Sequence, residues 1–172
     1  AERVPRHALS SRRSSVLLAL RAFAPAAAIG AVQGLLVALV VQLAAGYDAG
    51  AWWTFAGLAV VAGIAFAAVN QALVAVFGGA GRWVSALIGV LAVATGIVST
   101  VPGVLAAVAG LMPTTPAYTA MLAALTSAGG LGAGLAGMIV WAVLAVVVTI
   151  IAAARRRTAK ASTLLQPAPA LA

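Results

Sequence analysis

Two adjacent amide side chains, Asn70 and Gln71, lie within a long apolar run of this chain. The run ends at a glycine turn, Gly78-Gly79-Ala80-Gly81, which Arg82 closes. An amide inside an apolar helix has two possible roles. It lines a polar seam along which a solute moves, or it hydrogen-bonds to a neighbouring helix. The residue types alone leave both alternatives open.

Gln33 and Gln42 repeat this pattern in an earlier apolar run. They are nine positions apart, about 2.5 turns of helix at 3.6 residues per turn. They therefore point to nearly opposite faces and cannot form one site by themselves. With the amide pair at 70 and 71, they complete a candidate intramembrane polar seam of four residues.

Catalytic chemistry has few candidate residues in this chain. His7 is the only histidine, Glu2 and Asp48 are the only acids, and there is no cysteine. These residues are far apart in sequence and assemble no acid–base pair, nucleophilic triad or metal cluster. We therefore expect no enzyme activity, no metal and no cofactor.

The remaining polar motifs also have ordinary interpretations. The glycine turn lacks the Lys-Ser/Thr of a phosphate-binding loop, and no strand precedes it, so it predicts a tight turn between helices. Hydroxyl side chains within apolar segments are expected to bond back to their own helix. These are Ser85, Thr95, Ser99 and Thr149.

The composition shows which solvent surrounds these residues. Of 172 residues, 65% are hydrophobic and 7% are charged. A soluble domain carries about 25% charged residues, so the solvent of this chain is lipid. The ten Lys and Arg residues cluster at the two ends and in one loop. They form no basic face or stripe of the kind that binds nucleic acid, and no nucleic-acid partner is expected.

The apolar segments predict an all-α integral membrane protein with four transmembrane helices. About twenty residues of helix cross a hydrocarbon core of about 30 Å. Pro25 is expected in the first turn of the first helix. The predicted spans are 25–45, 52–77, 83–100 and 131–154.

The flanking segments differ in composition from the spans. Residues 1–23 are basic and amphipathic, which is typical of a helix lying at the membrane surface. Residues 155–172 are basic and contain two prolines, and they predict a disordered tail. Between the third and fourth spans, residues 102–128 carry Pro102, Pro113 and Pro116. That segment predicts two half-helices that dip into or rest on the outer leaflet, since bare loop in lipid leaves its backbone unsatisfied.

The basic residues also predict the orientation of the chain. They precede the first span, follow the last, and include Arg82 between the second and third, while the loops 46–51 and 101–130 have none. Lys and Arg mark the cytosolic side. We therefore expect four crossings in a bacterial inner membrane, with both termini cytosolic. No charge lies deep in a span, so an ion-coupled mechanism lacks its usual relay.

Two small-xxx-small patterns indicate where helices approach closely. They begin at Gly30 and end at Gly34, and begin at Gly130 and end at Gly134. Such patterns allow backbone contact between helices. Packing within the chain is favoured here over a dimer interface.

Together these motifs resemble a known family. The stretch 70–91, NQALVAVFGGAGRWVSALIGVL, the proline-bearing element 112–120 and a last span that ends in Arg155-Arg156-Arg157 are similar to the C-terminal membrane region of the YhgE/Pip family. These are the phage infection protein homologues, related to the membrane subunits of ABC-2 type exporters. Family members carry an earlier helix and a large outer domain, so the chain is expected to be a fragment or a short relative.

The resemblance implies a membrane component of export or envelope assembly. It also implies partners: the lipid bilayer, a second copy of the chain, or other membrane and ATP-hydrolysing subunits. The alternative is a membrane anchor, scaffold or docking module that transports nothing. The absence of charge within the spans motivates that alternative.

Overall fold

Six helices make up the described part of the chain. The computed structural model describes residues 15–97 and 103–164, and Pro102 lies outside these ranges. The helices are α1 (Ser15–Ala45), α2 (Ala49–Phe77), α3 (Ala80–Ile97), α4 (Gly103–Gly110), α5 (Thr114–Thr126) and α6 (Leu131–Leu164). No strand occurs within the described ranges.

Three of the helices are long and apolar enough to cross a membrane. They are Val16–Ala45, Ala49–Phe77 and Leu131–Arg155, of 30, 29 and 25 residues. At 1.5 Å per residue, each exceeds the hydrocarbon core of about 30 Å. The chain is therefore a membrane-embedded helical protein.

The distribution of side-chain size agrees with a lipid solvent. The buried apolar positions are mostly alanine, whereas large apolar side chains face outward, among them Leu43 and Trp83, which are 88% and 80% exposed. A soluble monomer rarely exposes a contiguous apolar patch of more than a few hundred Å². In lipid, by contrast, helices associate by close contact of small residues, and large apolar side chains are left to face the bilayer.

Helix ends follow local residue chemistry. Asp48 caps α2, where its Oδ1 accepts a hydrogen bond from the Ala51 amide at 3.1 Å. Gly78, with φ +62°, ends α2 and begins the turn into α3. Such a left-handed conformation costs a residue with a Cβ about 1 kcal/mol or more.

Two helices extend beyond the predicted spans. The helix α1 begins at Ser15, so Pro25 lies inside it rather than in its first turn. A proline is tolerated within a membrane helix because its neighbours re-satisfy the freed backbone group. The helix α6 continues past Arg155 to Leu164.

The helix α2 lies at the centre and packs against α1, α3, α5 and α6. In the contact with α1, the backbones of the two helices lie directly against each other. A Cβ built on Gly30 would overlap the Gly63 carbonyl, and one on Gly34 would overlap the carbonyl of Ala59. Gly30 lies beside Gly63 and Gly34 lies beside Ala59, so residue numbers increase along α1 where they decrease along α2. The two helices are therefore antiparallel. The pattern at Gly30 and Gly34 therefore packs within the chain, as predicted.

The second pattern also packs within the chain. A Cβ on Gly134 would meet the Pro116 carbonyl oxygen at 2.5 Å and the Cβ of Ala120 at 2.7 Å, and one on Gly130 would meet Thr119 at 3.0 Å. These contacts set α5 antiparallel to α6. The broken segment therefore folds back against the last long helix.

The last long helix runs in the same direction as α2. Met138 shares a buried cluster with Leu58 and Ala62, and Ala145 shares another with Ala68 and Ala72. The start of α1, the turn between α2 and α3, and the later half of α6 consequently lie at one end of the bundle.

The two ends of the bundle differ in chemistry. The basic end carries Arg21, Arg82 and Arg155, all exposed. The aromatic end, at the connection between α1 and α2, carries Tyr47, Asp48, Trp52 and Trp53. This asymmetry is typical of a helical bundle with one cytosolic face.

Candidate functional site

A cavity of about 750 Å³ lies between α1, α2, α3 and the start of α5. It lies beside the glycine contacts that hold α1 and α2 together, and Ser85, Ile88 and Gly89 of α3 form another side. Ligand sites in proteins fall mostly between about 300 and 1,000 Å³. We take this cavity as the candidate functional site.

The walls of the cavity are mainly apolar, with a few polar side chains. Apolar wall positions include Ile29, Phe66, Ile88 and Met121. The polar lining residues are Gln33, Asn70, Gln71, Ser85 and Thr114. A few placed polar groups on an apolar wall are the usual composition of a small-molecule site.

The hydrogen bond between Asn70 and Ser85 joins α2 and α3 at the wall of the cavity. Ser85 Oγ donates to Asn70 Oδ1 at 2.8 Å, across the α2–α3 contact. The expectation that Ser85 bonds back to its own helix is therefore wrong. Thr149 does bond back, to the Ala145 carbonyl at 2.8 Å, as predicted. The predictions for Thr95 and Ser99 concern side chains outside the part of the chain that the structure describes.

Gln71 carries an acceptor that the described residues leave unsatisfied. Its Oε1 is buried and has no hydrogen-bond partner among them. A buried polar group without a partner costs about 1–3 kcal/mol. Gln71 lines the cavity and also a small gap beside Phe23 and Thr149. The atom is covered by surrounding protein, so this acceptor is closed to a molecule in the cavity.

Gln42 lies apart from the other three amides of the predicted seam. Its Nε2 donates to the Tyr47 carbonyl at 3.0 Å, at the aromatic end, and it does not line the cavity. The structure thus brings together Gln33, Asn70 and Gln71 and leaves Gln42 in a loop-bracing position. The role of these amides in function stays a prediction.

The turn residues of the predicted motif form a compact link between α2 and α3. The amide of Gly81 donates to the Gly78 carbonyl at 3.2 Å, and that of Arg82 to the Gly79 carbonyl at 3.3 Å. A Cβ on Gly81 would overlap the carbonyl of Leu73. The turn therefore positions Ser85 opposite Asn70, one helical turn beyond Arg82.

The prolines of the broken segment have separate structural roles. Pro113 is buried, precedes α5 and lines the cavity. Pro116 lies in the first turn of α5, where a missing amide is harmless, and it packs on Gly134 and Gly137.

Ser85 and Thr114 are the cavity residues that sequence reasoning missed as site residues. A signal for Ser85 was available. Asn70 lies eight residues before Gly78 and Ser85 seven residues after it. Residues at nearly equal distances from a tight helical turn come to nearly the same depth, since both helices rise 1.5 Å per residue.

The cavity has no charged lining residue, and the described residues hold no group of three side chains suited to a metal ion. Comparison with protein-family models, with curated proteins and with solved structures found no match.

Proposed function

We propose that this chain is the membrane domain of an export or envelope-assembly component, of the YhgE/Pip-like, ABC-2 type. The cavity with its amide lining is the observation that carries the proposal. An anchor needs only apolar helices packed on one another. A component that moves a solute needs polar groups within the membrane, and the cavity of this chain is lined by three amides and two hydroxyls.

The proposal also accounts for how movement would be driven. No charged side chain lines the cavity, so the usual intramembrane relay for protons or ions is not among the wall residues. The energy would then come from outside this domain, from a separate ATP-hydrolysing subunit. A second copy of the chain is the other expected partner.

The proposed topology has four crossings, with α3 as the third. The contacts support this arrangement: α2 and α6 run in the same direction, so the chain must return across the bundle between them. In this arrangement α4 and α5 form the broken segment in the outer half of the bilayer. The basic end then faces the cytosol, with both termini, and the aromatic end faces outward.

The topology is tested by single cysteines, because the chain has none of its own. Ala49→Cys, at the aromatic end, should react with a membrane-impermeant maleimide added to intact cells. Gly79→Cys, in the turn, should react only after the membrane is opened. Reaction of Gly79→Cys from outside would refute the orientation.

The function is tested by purification and transport. The protein should co-purify with an ATPase, and inside-out vesicles should show ATP-dependent movement of lipid or envelope precursors. Gln33→Leu, at the cavity, should reduce the rate, whereas Gln42→Leu, on the same helix but outside the cavity, should not. Equal rates in both variants would remove the cavity from the mechanism.

A membrane anchor or scaffold is the second candidate function, favoured by the uncharged cavity wall. It predicts that neither substitution changes any transport rate and that no ATPase co-purifies. It also predicts that partner proteins are lost from the membrane when the chain is deleted.

A further inference from the structure

We propose that the cavity binds an anionic phospholipid of the surrounding bilayer. Its acyl chain would lie along the apolar wall and its head group at the basic end. This inference rests on the proposed function, since it names the class of molecule that the same cavity takes. Binding and transport are nevertheless measured separately.

The shape of the cavity suits a chain that lies parallel to the helices. Its lining on α2 extends from Ala59 to Leu73, about 21 Å at 1.5 Å per residue. Side chains that line it are also exposed at the surface of the bundle, such as Ile29 and Val37, which are 61% and 52% exposed. The cavity is therefore open to the lipid-facing side, so a lipid needs no aqueous route to enter.

The apolar wall by itself cannot select an occupant. Lipid tails are as apolar as leucine, so an acyl chain gains little hydrophobic free energy when it leaves the bilayer for the cavity. Selection must come from polar and charged groups near the head of the ligand.

Two arginines at the basic end lie close in sequence to residues that line the cavity. Arg21 adjoins the lining residue Ala22, and Arg82 precedes the lining residue Ser85 by about one helical turn. Both are exposed. Asp48, the only acid among the described residues, lies at the aromatic end. The charge at this mouth is therefore positive, which complements a phosphate head group.

The amides next to that mouth supply hydrogen bonds. Asn70 accepts from Ser85 and lies at the same end as the arginines. Asn70 is exposed and lines the cavity, and its Oδ1 keeps a second lone pair for a donor on the ligand. The glycerol hydroxyls of phosphatidylglycerol provide donors beside an anionic phosphate. Phosphatidylcholine has neither hydroxyl donors nor net charge.

The test uses phosphatidylglycerol with a photoactivatable diazirine on its acyl chain, diluted into phosphatidylcholine vesicles that contain the purified full chain. Crosslinks should concentrate on cavity positions such as Phe66 and Ile88. Excess unlabelled phosphatidylglycerol should suppress them at least about fivefold more than the same excess of phosphatidylcholine, because one arginine near a membrane surface favours an anionic lipid by about 1 kcal/mol.

Two outcomes on the wild-type chain would overturn the inference. One is labelling spread evenly over lipid-facing positions such as Leu43 and Val140, which marks general solvation by lipid. The other is an equal pattern from a phosphatidylcholine probe, which marks an unselective cavity.

A matched pair of variants tests the location. Gly89 lines the cavity, and a Cβ built on it meets nothing within 4 Å. Gly89→Phe should therefore fill the cavity and abolish the competable labelling. Gly57, exposed and outside the cavity, has the same open surroundings. Gly57→Phe should label like the wild type, and loss of labelling in both variants or in neither would refute the location.

The arginines are tested by the ratio of phosphatidylglycerol to phosphatidylcholine labelling. Arg21→Gln and Arg82→Gln should each lower it about fivefold. Arg155→Gln, which borders no part of the cavity, should lower it much less. Crosslinking that unlabelled phosphatidylglycerol suppresses, without ATP-driven movement, would support lipid binding and contradict the transport proposal. ATP-driven movement without such crosslinking would support transport and contradict lipid binding.

Discussion

The contact between Gly30 and Gly63 brings the backbones of two long helices together, and Gly63→Ala tests it. A Cβ on Gly63 would overlap the carbonyl of Gly30. That atom belongs to the backbone, so it cannot move aside as a flexible side chain would. One added methyl group must therefore push α1 and α2 apart along their whole interface.

The magnitude follows from a comparison with Gly57→Ala on the same helix. Gly57 is exposed, and a Cβ there meets nothing within 4 Å. Both substitutions carry the same gain in helix propensity, about 1 kcal/mol at most. Only Gly63→Ala adds the cost of overpacking, about 1–3 kcal/mol. The difference in unfolding free energy between the two variants should therefore be about 1–3 kcal/mol, with Gly63→Ala the less stable.

The measurement is reversible unfolding in mixed micelles with increasing dodecyl sulfate, followed by tryptophan fluorescence. The double variant Gly30→Ala/Gly63→Ala should lose less than the sum of its single variants, because one displacement of α1 relieves both overlaps. Equal stability of Gly63→Ala and Gly57→Ala, within about 0.5 kcal/mol, would refute the glycine contact as the element that sets the helix spacing.

Three further predictions concern single hydrogen bonds, measured by the same unfolding assay. Trp52→Phe removes the bond from the indole Nε1 to the Ala38 carbonyl, 3.0 Å long, and should cost about 0.5–1.5 kcal/mol. Trp53→Phe, at a position 66% exposed, should cost much less, and equal losses would contradict the assignment. Asp48→Ala removes the cap of α2 and should cost about 1 kcal/mol. Asp48→Asn should retain most of that stability, and an equal loss in both would argue against capping. Ser85→Ala should cost about 0.6 kcal/mol, the average for a hydrogen bond between membrane helices. A double-mutant cycle with Asn70→Ala should return a coupling of that size, and zero coupling would place the two residues apart.

The helical, membrane-embedded class of the protein could be predicted from residue types alone. Hydrophobic length and charge content are local properties, and a long apolar segment in lipid can satisfy its backbone only as a helix. The turn at Gly78 and the break at Pro113 were predictable for the same reason, since their residues restrict the backbone directly.

The arrangement of the amides required the tertiary structure. Gln33 and Asn70 lie on different helices, and they line one cavity because of the register that Gly30 and Gly63 set between α1 and α2. Helices that are apolar on every face carry almost no directional pattern, so their rotation about the axis cannot be inferred from hydropathy. That rotation separates Gln42 from the other amides and brings Ser85 to Asn70.

The continuity of α1 through Pro25 was also decided by packing. Proline favours a helix start by its own geometry, but the neighbouring helix supports the turns before it. The sequence by itself therefore determined the solvent of this protein, its helical segments and its turns, because each depends on residues close together in the chain. The tertiary structure decided which helix faces meet and where the cavity opens, because those depend on contacts between residues far apart in the chain.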